Sequence, residues 1–270
     1  MHQQTARAGR IYRSVRWVLR QLGFGYFRLR IQGLEDMPRE GGAILAGNHP
    51  SVLDGVLLLI VSPRPVRFLV AEELFYHPLL RWAFEGMGCI PVYRTRTHNG
   101  DALRAAVEAL ARGEIIGIFP EGTTSDSGAM RQVKRGVGLL ALKTGVPVIP
   151  FGVIGSDAAY PSGARVPKPG SITLAFAPAI RYGRSIEDPI PPRVLQPVLD
   201  DVRWEILRAM QWAAERHDAP LPCWSLKGCE VALSALIVLP LSGVLTMTAN
   251  PSLDPSSTSV TVQSNAKEGT

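Results

Sequence analysis

Between Tyr26 and Pro222 short apolar runs alternate with segments of helical periodicity. The apolar runs are "YFRLRIQG", "GAILAGN", "VRFLVA", "CIPVYR", "EIIGIFP", "VPVIPFGVI" and "SITLAFAP", most of them bounded by Gly or Pro, and each reads as a strand. Helical patterns cover Val52 to Val61, Pro78 to Gly86, Asp101 to Arg112, Val137 to Thr144 and Pro192 to Arg216. Strands that alternate with helices predict an α/β fold: a single mixed, largely buried sheet flanked by helices. No internal repeat or low-complexity linker interrupts residues 26–222, which are read as one domain.

The two ends break this pattern. In residues 1–25, "RIYRSVRWVLRQLGFG" places Ile11, Val15, Val18 and Leu22 on one helical face and Arg13, Arg16 and Arg20 on the other, with Trp17 at the boundary. A basic helix with a Trp flank suits a membrane interface, with arginines on lipid phosphates. An ordinary helix packed on its own domain shows the same periodicity. Arginines interrupt the apolar residues of the first thirty positions, which argues against a secretory leader. Residues 223–249 contain the uncharged run "VALSALIVLPLSGVLTMT", which as a helix would reach about 27 Å, close to a hydrocarbon core. It is a candidate membrane anchor with Lys227 on the cytoplasmic side; a late core helix or a surface hairpin is the alternative. Residues 250–270 are polar and Ser-rich and read as a disordered tail.

Composition adds a constraint on partners. The chain has 270 residues, 46% hydrophobic and 19% charged, with a net charge of +6. A basic balance suits phosphate-bearing partners, nucleic acid or anionic lipid. No run interleaves basic and aromatic residues, so nucleic acid is not expected as a partner. The three cysteines, Cys89, Cys223 and Cys229, form no zinc spacing and no CxxC pair, which suits a reducing compartment.

Chemistry concentrates in "NHPSVLDG", Asn48 to Gly55. The run before it predicts a buried strand. The residues after it predict a helix with Ser51 as N-cap. His49 then falls on the connecting turn and Asp54 in the first helical turn, facing back toward it. A carboxylate that accepts from one imidazole nitrogen fixes the tautomer and leaves the other nitrogen as a base. The same residues also fit a helix-start aspartate beside an ordinary turn histidine.

Three later stretches resolve that choice: "GCIPVYR", Gly88 to Arg94; "IFPEGTTS", Ile118 to Ser125; and "VPVIPFGV" with Pro147 and Pro150. Together with "NHPSVLDG" they stand in the order and at the separations of the glycerolipid acyltransferase family, which includes bacterial 1-acyl-glycerol-3-phosphate acyltransferases, and the chain resembles that family over roughly Gly33 to Phe176. The resemblance implies O-acyl transfer from a thioester to the free hydroxyl of a lysophosphatidate-type lipid in phospholipid biosynthesis. It places the catalytic dyad on His49 and Asp54. It places acceptor binding on Phe119, Pro120, Glu121 and Gly122, with Thr123 and Lys134 beside them, and phosphate contact on Arg94. It implies no metal and no cofactor, acyl-CoA or acyl carrier protein as co-substrate, and work on membrane lipids at the cytoplasmic face.

Two departures bear on the acceptor. Many phosphatidate-forming members read "EGTR" where this chain has Thr124, and many carry a lysine where "VAEELF" has Ala71. Both changes remove a cation suited to a phosphomonoester, and Arg94, Lys134 and Arg135 remain. Another lysophospholipid, glycerol 3-phosphate or an aminolipid is the alternative acceptor. A turn carboxylate binding backbone amides is the alternative role for Glu121. A non-catalytic lipid-binding protein of the same fold is the competing class.

Overall fold

The computed structural model describes residues 17, 19, 26–78, 80–93, 99–125, 130–185 and 187–217, all within one compact unit. The amphipathic face of residues 1–25 (apart from Trp17 and Leu19), Arg94 and everything read in residues 223–270 lie outside the described residues.

Seven strands form one sheet: β1 (Phe27–Gln32), β2 (Ala43–Gly47), β3 (Val66–Ala71), β4 (Ile90–Val92), β5 (Ile115–Ile118), β6 (Val148–Ile154) and β7 (Gly170–Phe176). Their spatial order is β1-β7-β6-β2-β5-β3-β4. Every neighbouring pair is parallel except β6 and β7, so the sheet is mixed as expected. Strand β2 lies between β6 and β5, and all five of its residues are buried. That placement explains its uninterrupted apolar sequence: a strand covered on both faces has no polar side.

The larger helices are α1 (Leu53–Val61), α4 (Asn99–Ala111), α5 (Arg135–Thr144) and α7 (Pro192–His217). Alternation along β2 divides the core. Leu45 faces Phe68, Phe151 and the Leu57, Leu58 and Ile60 side chains of α1. Ile44 and Ala46 face Ala106 and Leu110 of α4, Leu140 of α5, and Val202 and Ile206 of α7. Helix α7 lies almost flush on β6: a Cβ at Gly152 would come within 2.3 Å of the Met210 amide nitrogen, so only glycine allows this approach.

Three short helices, α2 (Glu72–Phe75), α3 (Arg81–Gly86) and α6 (Ser156–Ala159), complete the described elements with a 3₁₀ turn at Leu34–Asp36. The helix expected from Pro78 begins at Arg81, and α2 and α6 had no counterpart in the periodicity. Helix α1 starts one residue later than expected, with Val52 rather than Ser51 at its N-cap. The Ser51 hydroxyl still accepts from the Leu53 amide at 3.4 Å, and it donates to the Tyr160 carbonyl, just past α6.

Candidate active site

Strand β2 delivers its C-terminal end to the middle of the sheet, and a set of main-chain bonds holds the turn beyond it. The Asn48 side chain continues the ladder where β2 stops. Its Nδ2 donates to Val153 O at 2.9 Å, and its Oδ1 accepts from Val153 N at 2.7 Å. The His49 amide donates to Glu121 Oε1 at 2.9 Å, and the His49 carbonyl accepts from Ser125 N at 2.8 Å. The turn is thereby fixed to β6 on one side and to the loop after β5 on the other.

His49 Nδ1 lies 2.9 Å from Asp54 Oδ2. The same oxygen accepts the Ser51 amide at 2.8 Å, while Ser51 Oγ reaches Tyr160 O at 3.0 Å. An ionised carboxylate only accepts, so the proton between them belongs on Nδ1, and Nε2 remains as the basic nitrogen. The imidazole stacks on Phe119, with ring centroids 3.9 Å apart and planes at 13°. Phe119 is in turn set edge-on against Phe151. The His49 side chain is 18% exposed and lines a cavity, whereas Asp54 is fully buried behind it. Burial pushes the Asp54 carboxyl above the ordinary carboxylate range, and donors from His49, Ser156 and Ser51 oppose the push.

That balance has a consequence for stability. A carboxyl with a raised native pKa binds protons more tightly folded than unfolded, so its contribution to stability falls as pH rises from the unfolded pKa through the native one. Ionising Asp54 therefore costs stability as pH rises. Asp54→Asn should raise the melting temperature at pH 7, by about 2–4 °C for each kcal/mol relieved, and lose that advantage below pH 4. The same variant should lower the proposed acyl-transfer rate by about 10²-fold. The Asn oxygen takes the Oδ2 position, where two donors meet, so the tautomer is retained and only the charge is lost. A melting series over pH with parallel rate measurements checks both effects.

Glu121 is buried, and both its oxygens are taken by backbone: Oε1 by the His49 amide and Oε2 by the Arg131 amide at 2.8 Å. Burial raises its pKa, against the two amides that lower it. Gly122 has φ +71°, and a Cβ there would come within 2.2 Å of Lys134 Nζ, so the lysine lies directly over the turn. The Lys134 amide also donates to Pro120 O at 2.8 Å. Phe119, Pro120, Gly122, Thr123, Thr124, Lys134 and Arg135 line the same cavity as His49. Its volume is about 1520 Å³, and its far walls are apolar, including Val56, Leu59, Phe68, Val70 and Phe84. Asn48 and the Ser51 amide were not singled out by sequence reading. An Asn just past a strand end, able to mimic backbone, was the available signal for the first.

Residues 28–154 match the family model described as Acyltransferase. The chain is 32% identical over 143 residues to a chloroplastic 1-acyl-sn-glycerol-3-phosphate acyltransferase of Arabidopsis thaliana, covering 52% of this chain and 40% of that protein. It is 31% identical over 124 residues to the 1-acyl-sn-glycerol-3-phosphate acyltransferase of Borreliella burgdorferi, covering 46% of this chain and 50% of that one. Over this segment the chain is similar to the glycerolipid acyltransferase family. The matches span half or less of these curated relatives' length. The fold is also that of a solved structure, the 1-acyl-sn-glycerophosphate acyltransferase PlsC of Thermotoga maritima: TM-score 0.55 and 27% identity, covering 73% of this chain and 81% of that one.

Proposed function

We propose that the chain transfers a fatty acyl group from an acyl thioester to the free hydroxyl of a lysophosphatidate-type lipid, with His49 as general base. The observation that carries this reading is the Asp54-backed imidazole standing at the wall of a large apolar cavity. His49 Nε2 takes the acceptor hydroxyl proton as that oxygen attacks the thioester carbonyl. Asp54 compensates the imidazolium, and the collapsing intermediate expels the thiolate, which takes the proton back as thiol. The ester gained and the thioester lost balance without a redox partner. Acyl-CoA and an acyl carrier protein both present this thioester.

The cavity suits an acyl chain, and Lys134 and Arg135 at its polar end suit a phosphate. Arg94, outside the described residues, is proposed to join them. Val52, Leu74, Leu80 and Trp82 line the cavity and are exposed large apolar side chains. They support entry of the lipid from a membrane surface, here placed at the cytoplasmic face. Among the described residues no helix is long and apolar enough to cross a membrane.

Thr124 at the cavity wall favours a second acceptor class, lysophospholipids bearing larger, singly charged head groups. The test is incubation of the purified protein with a panel of acyl thioesters and lysolipids, with products identified by mass. Thiol release is expected only when thioester and acceptor are both present. No release with any lysolipid, alongside lysolipid binding, replaces this reading with a non-catalytic lipid-binding role. In the same panel Thr124→Arg should shift preference toward lysophosphatidate by about tenfold, since an added cation favours a phosphomonoester dianion over a phosphodiester. Equal preference in both proteins would show that position 124 does not read the head group.

A further inference from the structure

Asp54 has two oxygens, and only one is accounted for. Oδ2 accepts from His49 and Ser51, whereas Oδ1 is buried without a hydrogen-bond partner. Ser156 Oγ, on a fully buried side chain at the start of α6, is in the same condition. A short chain of bonds joins their surroundings: the Tyr160 amide donates to the Ser156 carbonyl at 2.8 Å, the Tyr160 carbonyl accepts from Ser51 Oγ at 3.0 Å, and the Ser51 amide donates to Asp54 Oδ2 at 2.8 Å. Among the described residues the Ser156 hydroxyl makes no hydrogen bond itself, and its influence on Asp54 is to lower a carboxyl that burial raises. The place of Ser156 is set independently of its hydroxyl. Gly155, with φ +88°, makes the turn that directs Ser156 inward, and a Cβ there would meet Ser171 O at 2.4 Å. The bonds from Asn48 to Val153 and from Ser51 to Tyr160 then clamp the residues on either side of it to the His49 turn.

We propose that Ser156 is a positioning residue: its hydroxyl closes onto Asp54 Oδ1, so that Ser156, Asp54 and His49 act as one hydrogen-bonded relay of which only His49 meets the cavity. This rests on the acyl-transfer reading for its catalytic meaning. A hydroxyl donating to a carboxylate makes a charge-assisted bond. It pins the second oxygen and keeps the carboxylate ionised in a buried site, where two donors on one oxygen leave the other undirected. The titratable groups packed around the pair are His217, whose ring lies against Gly155 and whose Nδ1 is 3.0 Å from Thr173 Oγ1, and Glu121, whose oxygens hold the His49 and Arg131 amides. Neither changes in the test.

Ser156→Ala should lower kcat about tenfold with KM for thioester and acceptor unchanged, as expected for loss of one charge-assisted bond. The acid limb of its pH–kcat profile should move to higher pH, because the pair loses a donor that favours the ionised carboxylate. Ser156→Cys, close in shape but a weak donor, should behave like Ser156→Ala, and Ser156→Thr, which keeps a hydroxyl, like the wild type. An arm that needs no substrate is carbon-13 titration of the Asp54 carboxyl, assigned by its loss in Asp54→Asn. Its midpoint should rise in Ser156→Ala and Ser156→Cys and not in Ser156→Thr. A wild-type kcat and acid limb in Ser156→Ala, equal losses in all three variants, or an unmoved Asp54 midpoint each overturn the relay. If the wild type transfers acyl groups to no lysolipid, the functional reading fails, while the titration still decides whether Ser156 holds Asp54.

Discussion

His49→Ala should reduce kcat/KM for acyl transfer by about 10⁴-fold, the upper end of what a positioned general base supplies. The loss should fall on kcat, since the imidazole contributes little of the cavity wall that would bind an acyl chain. Among the described residues the other ionisable side chains touching this turn are Asp54, fully buried behind the imidazole, and Glu121, whose two oxygens are committed to backbone amides. Neither can replace the lost base: Asp54 does not reach the cavity, and Glu121 would have to release the loop. Phe119 keeps its ring contacts with Phe68 and Phe151, and the Asn48 and Ser125 bonds do not use the imidazole, so the variant should fold normally. Single-turnover mixing of thioester, lysolipid and variant separates the two quantities. Turnover within tenfold of wild type would remove His49 from the mechanism.

Glu121→Gln should lower kcat by about 10²-fold and leave the acceptor KM within about threefold. A carboxylate accepts on both oxygens, whereas the amide offers one acceptor and one NH₂. Whichever way the Gln turns, one buried backbone N–H, of His49 or of Arg131, meets a donor instead of an acceptor. The loop must shift to relieve it, and displacement of a reacting group by about 1 Å costs on the order of 10²-fold. An acceptor ligand would show the opposite signature, a raised KM at nearly constant kcat. Initial rates over a lysolipid concentration series tell the two apart. A KM effect would return Glu121 to the acceptor-contacting role implied by the family resemblance.

The contrast between His49–Asp54 and Glu121 shows how far a sequence can be read. His49 and Asp54 are five residues apart across a strand end and a helix start, so local geometry alone brings them to 2.9 Å. Glu121 and His49 are 72 residues apart, and they meet because β5 lies beside β2 in the sheet. Sheet order is a long-range outcome that periodicity does not encode. The long elements were legible for the reason that hid the short ones. Helix α7 is 26 residues long and repeats its buried apolar residues from Leu195 to Ala214, while α2 and α6 have four residues each and no period to detect. Strand β2 was legible because burial on both faces leaves an all-apolar run between glycines. Ser156 carried no signal: a serine after a glycine reads as a loop until the fold places it beside a buried carboxylate.

The bonds that hold the His49 turn run largely through main-chain amides and carbonyls, those of Val153, Tyr160, Ser125 and His49 itself. Such groups are supplied by almost any residue, so exchanging side chains at Val153 or Tyr160 leaves the bonds available. The apolar positions around the cavity, Leu74, Leu80 and Trp82 among them, take no part in that bracing. Chemistry and molecular fit are therefore separable heritable traits in this scaffold. Descendants can resize the chamber by single apolar exchanges while the His49 turn stays as it is.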